Sequence, residues 1–342
     1  MLAGPEMEAC DKPLHIAGGM ITAVGGSVDA EARVIDATGL TLLPGFIDAH
    51  VHICFYDPLE VLLGGVTTVR DLAWPPDEIF ELSKRSRSAD FDGPEIIAAG
   101  PMLTTAGGYP TTAGWAPPGT GRIVTDIEDA EVAVSEAAGA GACIIKIALN
   151  PPVGPTLDTP TLSAIVESAH SRGLKVTGHV FGLDQLDKCL RTGVDELAHA
   201  LMSEERIPSS TIEKMVAAEM VVVPTFSCRF GSDLDSAIDN VARFRRAGGT
   251  VIYGTDLGNE GPVPGIDANE IASMVRAGMA GSDIVRSATH DSARWLGLHD
   301  RGVIEPMKRA DVIGVRGDPL DDPASLTSVE LVIRQGRVVR AP

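Results

Sequence analysis

Short apolar runs recur along the middle of this chain, and most are separated by stretches whose apolar residues repeat with helical spacing. The runs read as strands at 45–52, 66–71, 95–100, 142–147, 174–179, 194–199, 220–224 and 250–256. Helical patterns lie between them, among them 126–140, 161–172, 183–192 and 209–218. Strands that alternate with helices imply a parallel sheet. Eight such units predict a closed (β/α)8 TIM barrel, whose chemistry lies at the C-terminal ends of its strands. The two ends of the chain have a different texture. Extended pieces at 14–16, 20–24 and 33–35 are punctuated by Gly18-Gly19 and Gly25-Gly26, and 311–315, 329–333 and 336–339 match them. This pattern predicts a small β-sandwich domain built from both termini, 1–43 and 303–342, around a barrel of 44–302.

The 342 residues suffice for a barrel of about 250 plus such an addition. A hydrophobic share of 44% and a charged share of 22% are those of a globular protein. The net charge of −19 argues against nucleic acid and anionic membrane surfaces as partners but says nothing about the substrate, which is expected to be a small molecule. Residues 1–11 carry no apolar signal-peptide core, and no run approaches the ~18 apolar residues of a membrane span. Cys10, Cys54, Cys143, Cys189 and Cys228 are odd in number and scattered, so free thiols and a cytoplasmic location are expected.

The candidate chemistry falls at the predicted strand ends. His50 and His52 close the first strand, and side chains at i and i+2 share a face, so two imidazoles reach one point. His179 and His199 end the fifth and sixth strands, Asp256 ends the eighth, and Lys146 is placed near the end of the fourth. Each alone has a plain alternative: a satisfied core histidine, a turn-capping aspartate, a salt-bridged lysine. Their shared position at one end of the barrel is what distinguishes them. A lysine within an apolar strand must reach water or find a partner. An ammonium has no lone pair for a metal, whereas the carbamate of a neutral amine has. His15, His170, His290 and His299 fall outside the strand ends and read as structural. The loop 104–120, rich in Gly, Pro and Thr, carries Tyr109 and Trp115 and is placed at the pocket. Tyr109 and Arg229 are the candidates for holding a substrate carboxylate.

The stretch Leu42-Leu43-Pro44-Gly45-Phe46-Ile47-Asp48-Ala49-His50-Val51-His52 resembles the first barrel strand of the amidohydrolase superfamily. Gly64-Gly65-Val66-Thr67-Thr68-Val69-Arg70-Asp71 resembles its second strand, and Ala293-Arg294-Trp295-Leu296-Gly297-Leu298 its closing helix. The segment from Gly302 to Asp311 resembles its return to the β-domain, with Met307 where a glycine is usual. Ile145-Lys146-Ile147, Gly178-His179-Val180 and Gly193-Val194-Asp195-Glu196-Leu197-Ala198-His199 are most similar to the imidazolonepropionase-like and Xaa-Pro dipeptidase-like branch.

The resemblance implies two divalent metal ions, with zinc the first choice. His50, His52 and Asp256 would bind one, His179 and His199 the other, with an N6-carboxylated Lys146 between them. It further implies that a hydroxide held by the ions cleaves the amide bond of a dipeptide or N-acyl amino acid, with Asp256 moving the proton. An ester, lactone or phosphotriester would suit the same hydroxide. Gly182 stands where deaminases of the superfamily carry a glutamate, which disfavours a mononuclear deaminase; an imidazolone-ring hydrolase is the other mononuclear alternative. A non-catalytic barrel would have lost ligands, and all six positions are filled. Relatives are often homo-oligomers, and that expectation stays open.

Overall fold

The computed structural model describes residues 1–342. Parallel strands β1 (Phe46–Val51), β2 (Val66–Asp71) and β3 (Glu95–Ala98) form one sheet. Strands β4 (Ile145–Leu149), β5 (Val176–Val180), β6 (Glu196–Leu197), β7 (Val221–Val222) and β8 (Thr250–Val251) run in order through a seven-stranded parallel sheet. Backbone bonds join the two sheets at both seams. Cys143 N donates to Ala98 O (2.9 Å), Ala49 N to Tyr253 O (3.0 Å) and Asp256 N to His50 O (2.8 Å). The result is a TIM-barrel-like α/β ring.

The third strand departs from expectation. It stops at Ala98, and the chain resumes as Met102–Thr104, which pairs with β4 through Leu103 opposite Ile147. Gly100, at φ +79°, and Pro101, without an N–H, interrupt the ladder. Lys146 likewise stands second in β4 rather than near its end, because the strand runs on to Leu149. The helices lie close to their predicted spans. Asp126 caps Ile127–Ala140 by accepting from Asp129 N, and Asp158 caps Thr159–Ser171 by accepting from Thr161 N, both at 2.8 Å. Each such cap is worth about 1 kcal/mol.

The chain ends meet in a four-stranded antiparallel sheet, ordered Arg337–Arg340, Val329–Arg334, Val312–Arg316, Leu40–Pro44. Period-2 alternation divides it between two cores. Leu43, Ile313, Val315 and Val332 join the barrel core. Val312, Leu331 and Ile333 join a smaller cluster with Ile21. That outer face is covered by the hairpin Leu14–Ala17 and Met20–Val24, fastened by Ile21 N to Lys308 O (2.8 Å). The piece expected at 33–35 is not a strand; Val34 is exposed and no strand lies beside it to complete a ladder. No helix is long and apolar enough to cross a membrane.

Candidate active site

Strand ends carry His50, His52 and His179 into one cavity of about 350 Å³. His199 and Asp256 reach it from the segments after β6 and β8, which stop at Leu197 and Val251, short of the expected 199 and 256, and Lys146 reaches it from within β4. All six side chains are buried. His50 and His52 point the same way, as i and i+2 of a strand must, and their Nε2 atoms both lie 3.3 Å from Asp256 Oδ1. His50, His52 and Asp256 bring three donor atoms within 4.8 Å of one another. His179 Nδ1 lies 3.1 Å from His199 Nε2, and the His50 and His199 rings are 4.7 Å apart. Asp256 (φ +61°) and Thr225 (φ +48°) hold left-handed backbone at this end of the barrel, the kind of strain that surrounding structure maintains at working sites.

The outer nitrogens of the histidines are accounted for. His50 Nδ1 donates to Ala198 O (2.7 Å) and His52 Nδ1 to Ala73 O (3.2 Å), and His199 Nδ1 pairs with the Thr225 hydroxyl (2.9 Å). Each ring therefore turns a lone pair on Nε2 toward the cavity, the arrangement that orients metal-ligating histidines. His179 is held by the Asn150 amide, 3.0 Å from its Nε2. The Asn150 Oδ1 is buried without a partner. Reversing that amide would let Oδ1 accept an Nε2–H and free the His179 Nδ1 lone pair.

Electrostatics favour the ligating form at His50, His179, His199 and Asp256, but not at His52. Burial pulls His179 down to about 3 and holds His50 and His199 well below the ordinary imidazole value. For His52 burial is outweighed by the adjacent Asp256 carboxylate, and the value rises. Burial opposes ionisation of Asp256, but the surrounding histidines hold it well below the usual carboxylate range. Burial pulls the Lys146 amine down to about 7, against Asp256 and Glu196, which favour its charged form. Lys146 Nζ and Asp256 Oδ1 are both buried without a hydrogen-bond partner. Orphaned buried polar atoms are costly, and a cation among these donors would satisfy them. The donor set thus fits a divalent metal.

A model of the Amidohydrolase family matches residues 41–339. The chain belongs to this family. Members generally use a divalent metal, and this amidohydrolase is a hydrolase acting on carbon–nitrogen bonds. Among its relatives, an enamidase of Eubacterium barkeri is 28% identical over 331 residues, covering 86% of this chain and 78% of the relative. An adenine deaminase 2 of Rhizobium etli is 29% identical, covering 94% of this chain but 53% of the relative. A crystal structure of a Xaa-Pro dipeptidase with bound methionine superposes with a TM-score of 0.80 at 24% identity, over 95% of this chain and 94% of that one. That likeness shows the fold.

Tyr109 lines the cavity and stacks on His179 at 4.6 Å, and Trp115 lies 5.1 Å from His52 and donates to Tyr109 Oη (3.1 Å). The loop 104–120 therefore reaches the site. Arg229, the other candidate for a substrate carboxylate, is buried beside the cavity without lining it, and its Nε has no hydrogen-bond partner. Its Nη1 donates to both Asp233 oxygens at 3.1 Å and its Nη2 to Ala200 O, which leaves no fork for a substrate carboxylate. Sequence reasoning missed Asn150, Cys228, Asn259 and Glu260, all on the cavity wall. The signal for Asn150 was its place directly after β4. A larger cleft of about 480 Å³ between the helix Pro76–Ser86 and Gly139–Gly141 gathers no histidine or cysteine.

Proposed function

We propose that this amidohydrolase cleaves the amide bond of a small substrate, a dipeptide or an N-acyl amino acid, at a centre of two divalent ions, zinc by the chemistry of the donors. His50, His52 and Asp256 would hold one ion, and His179 and His199 the other. Lys146 would stand between them. The observation that carries this reading is the pair of buried, unpartnered atoms, Lys146 Nζ and Asp256 Oδ1, facing histidines whose outer nitrogens are already bonded. When bound, the ions supply a water acidic enough to ionise near neutral pH and polarise the substrate carbonyl.

The chain's own groups do the rest. With its pKa pulled to about 7, the Lys146 amine is substantially neutral at neutral pH. It can add to carbon dioxide, forming an N–C bond and releasing one proton, and so become an anionic oxygen donor. Asp256, ionised among the histidines, accepts a proton from the attacking water and returns it to the leaving nitrogen. The water oxygen ends on the carbonyl carbon, the C–N bond breaks, and the nitrogen departs as an amine. Tyr109 and Trp115 wall the substrate side of the cavity.

One observation favours a single-ion alternative: only His50, His52 and Asp256 bring three donor atoms mutually close. The test is elemental analysis of wild type and Lys146→Ala, each assayed on dipeptides, N-acyl amino acids, esters and lactones. About two ions per chain in wild type, falling together with activity in the variant, is the expected result. One ion in both proteins with activity intact would overturn the two-ion reading.

A further inference from the structure

Apart from the ions that the proposed function places there, the cavity wall offers a substrate carboxylate no guanidinium of the protein. Besides the histidines it presents two carboxylates, Asp256 and Glu260, and one lysine, Lys146, itself buried. No arginine lines it, and Arg229 nearby is engaged by Asp233. Glu260 is exposed at the rim and meets no cation of the protein.

Its position is built rather than loose. Asn259 binds Asp256 O through both its backbone N and its Nδ2, each at 3.2 Å. Gly258, at φ +125°, passes so close to His52 that a Cβ would lie 2.7 Å from the His52 Cβ and 3.1 Å from Phe55. Gly261, at φ +113°, passes so close to Ser227 that a Cβ would lie 2.2 Å from its carbonyl oxygen. Both approaches admit only glycine, so the turn carrying Glu260 is pinned between Phe55 on one side and Ser227 with Phe230 on the other. The chain has three tryptophans and three tyrosines, and Trp74, Trp115 and Tyr109 gather with Phe55 at this mouth. A rim carboxylate on a pinned turn, sharing the cavity wall with Tyr109 and Phe230, suits a cation, which a carboxylate pairs and ring faces attract.

We infer that Glu260 reads a protonated amine on the substrate, so that the amidohydrolase acts on amino-acid amides with a free ammonium and no carboxylate, in preference to N-acyl amino acids. This rests on the amide-hydrolase reading above and changes its substrate, because a dipeptide and an N-acyl amino acid both end in a carboxylate. Four probes with one common scissile bond separate the two charges: Leu-Gly-amide, Leu-Gly and the N-acetylated form of each. Metal-loaded wild type is expected to favour Leu-Gly-amide over N-acetyl-Leu-Gly in kcat/KM by about tenfold or more. Glu260→Gln is expected to weaken turnover of the two free-amine probes by about tenfold, mainly through KM, and to leave the acetylated pair within about twofold.

A wild-type preference for N-acetyl-Leu-Gly, or an equal loss on all four probes, overturns the inference. Calorimetric binding of 3-methylbutylammonium to metal-loaded wild type and Glu260→Gln reads the site without turnover. Binding that the substitution weakens, with no probe hydrolysed, keeps the cation site and sinks the amide-hydrolase reading. Absence of amine binding to wild type sinks the inference even where amides are cleaved.

Discussion

Two groups of buried charge share this barrel. Arg70 and Glu196 are both fully buried, joined at 2.6 Å through Nη2 and Oε1 and at 3.1 Å through Nη1 and Oε2. Arg70 Nε donates to Ala49 O, and Trp295 Nε1 donates to Glu196. The other group, Lys146 and Asp256 with four histidines, is as deeply buried, yet Lys146 Nζ and Asp256 Oδ1 have no partner. The contrast separates a structural role from a ligand-binding one. A buried ion pair with its valences filled holds the barrel, whereas a buried set left incomplete awaits something from outside.

The comparison breaks most visibly at its active half. Asp256→Asn removes the proton carrier and one donor, and activity is expected to fall by about 10²–10⁴-fold. Urea unfolding of the metal-free variant is expected to stay within about 1 kcal/mol of wild type. A large loss of stability would mean that Asp256 is structural after all. The satisfied half should respond in the opposite sense. Glu196→Gln leaves the Arg70 guanidinium buried and uncompensated, at a cost of about 3–5 kcal/mol, seen as a lowered urea midpoint. If the midpoint does not move, the pair is not holding the barrel.

Asp48 offers a finer test, because it is satisfied by bonds but has no cation. It accepts from His50 N (3.0 Å), Thr255 N (3.1 Å) and Thr255 Oγ1 (2.7 Å), and burial pushes its carboxyl up to about 7. A folded value above the unfolded one, about 3.9, means that ionisation opposes folding. The contribution of Asp48 should therefore decline as pH rises from about 4 to about 7, by up to about 1.4 kcal/mol per pH unit, while His50, His179 and His199, held neutral by burial, act in the opposite sense over the lower part of that range. The stability of wild type minus that of Asp48→Asn isolates this contribution and should fall across the window; a difference that does not change with pH would rule Asp48 out.

The smallest effect lies outside both groups. Met307 is exposed at φ +70°, in the left-handed region where a side chain is strained. Met307→Gly relieves strain but frees the unfolded chain, so a net gain of about 0.5–1 kcal/mol is expected in thermal unfolding. A loss of stability would show that the Met307 side chain contributes packing there.

Much of this was legible along the chain. The alternation of strand and helix patterns, the His50–His52 pair and the histidines and aspartate at later strand ends all depend on local periodicity, which a reading of residues recovers. Met307 stood out as a departure from the glycine usual in the family, and its positive φ gives the physical reason. The illegible parts share a cause. The break at Gly100-Pro101 depends on which neighbour each half of the third strand pairs with. Arg229 looked free because Asp233, one helical turn on, competes for it only once both are folded. Glu260 lacks a distinctive local pattern and becomes notable only through the cavity it lines.

The sequence by itself determined the family, the barrel-forming period and six polar residues that the fold gathers on one cavity. Periodicity sets which face a side chain takes, and residue type sets which chemistry it can offer. Tertiary structure alone decided which of the buried polar atoms are left without partners. Partnership depends on residues far apart in the chain, such as His50 with Ala198 and Arg70 with Glu196, and no local pattern encodes a distance across the barrel.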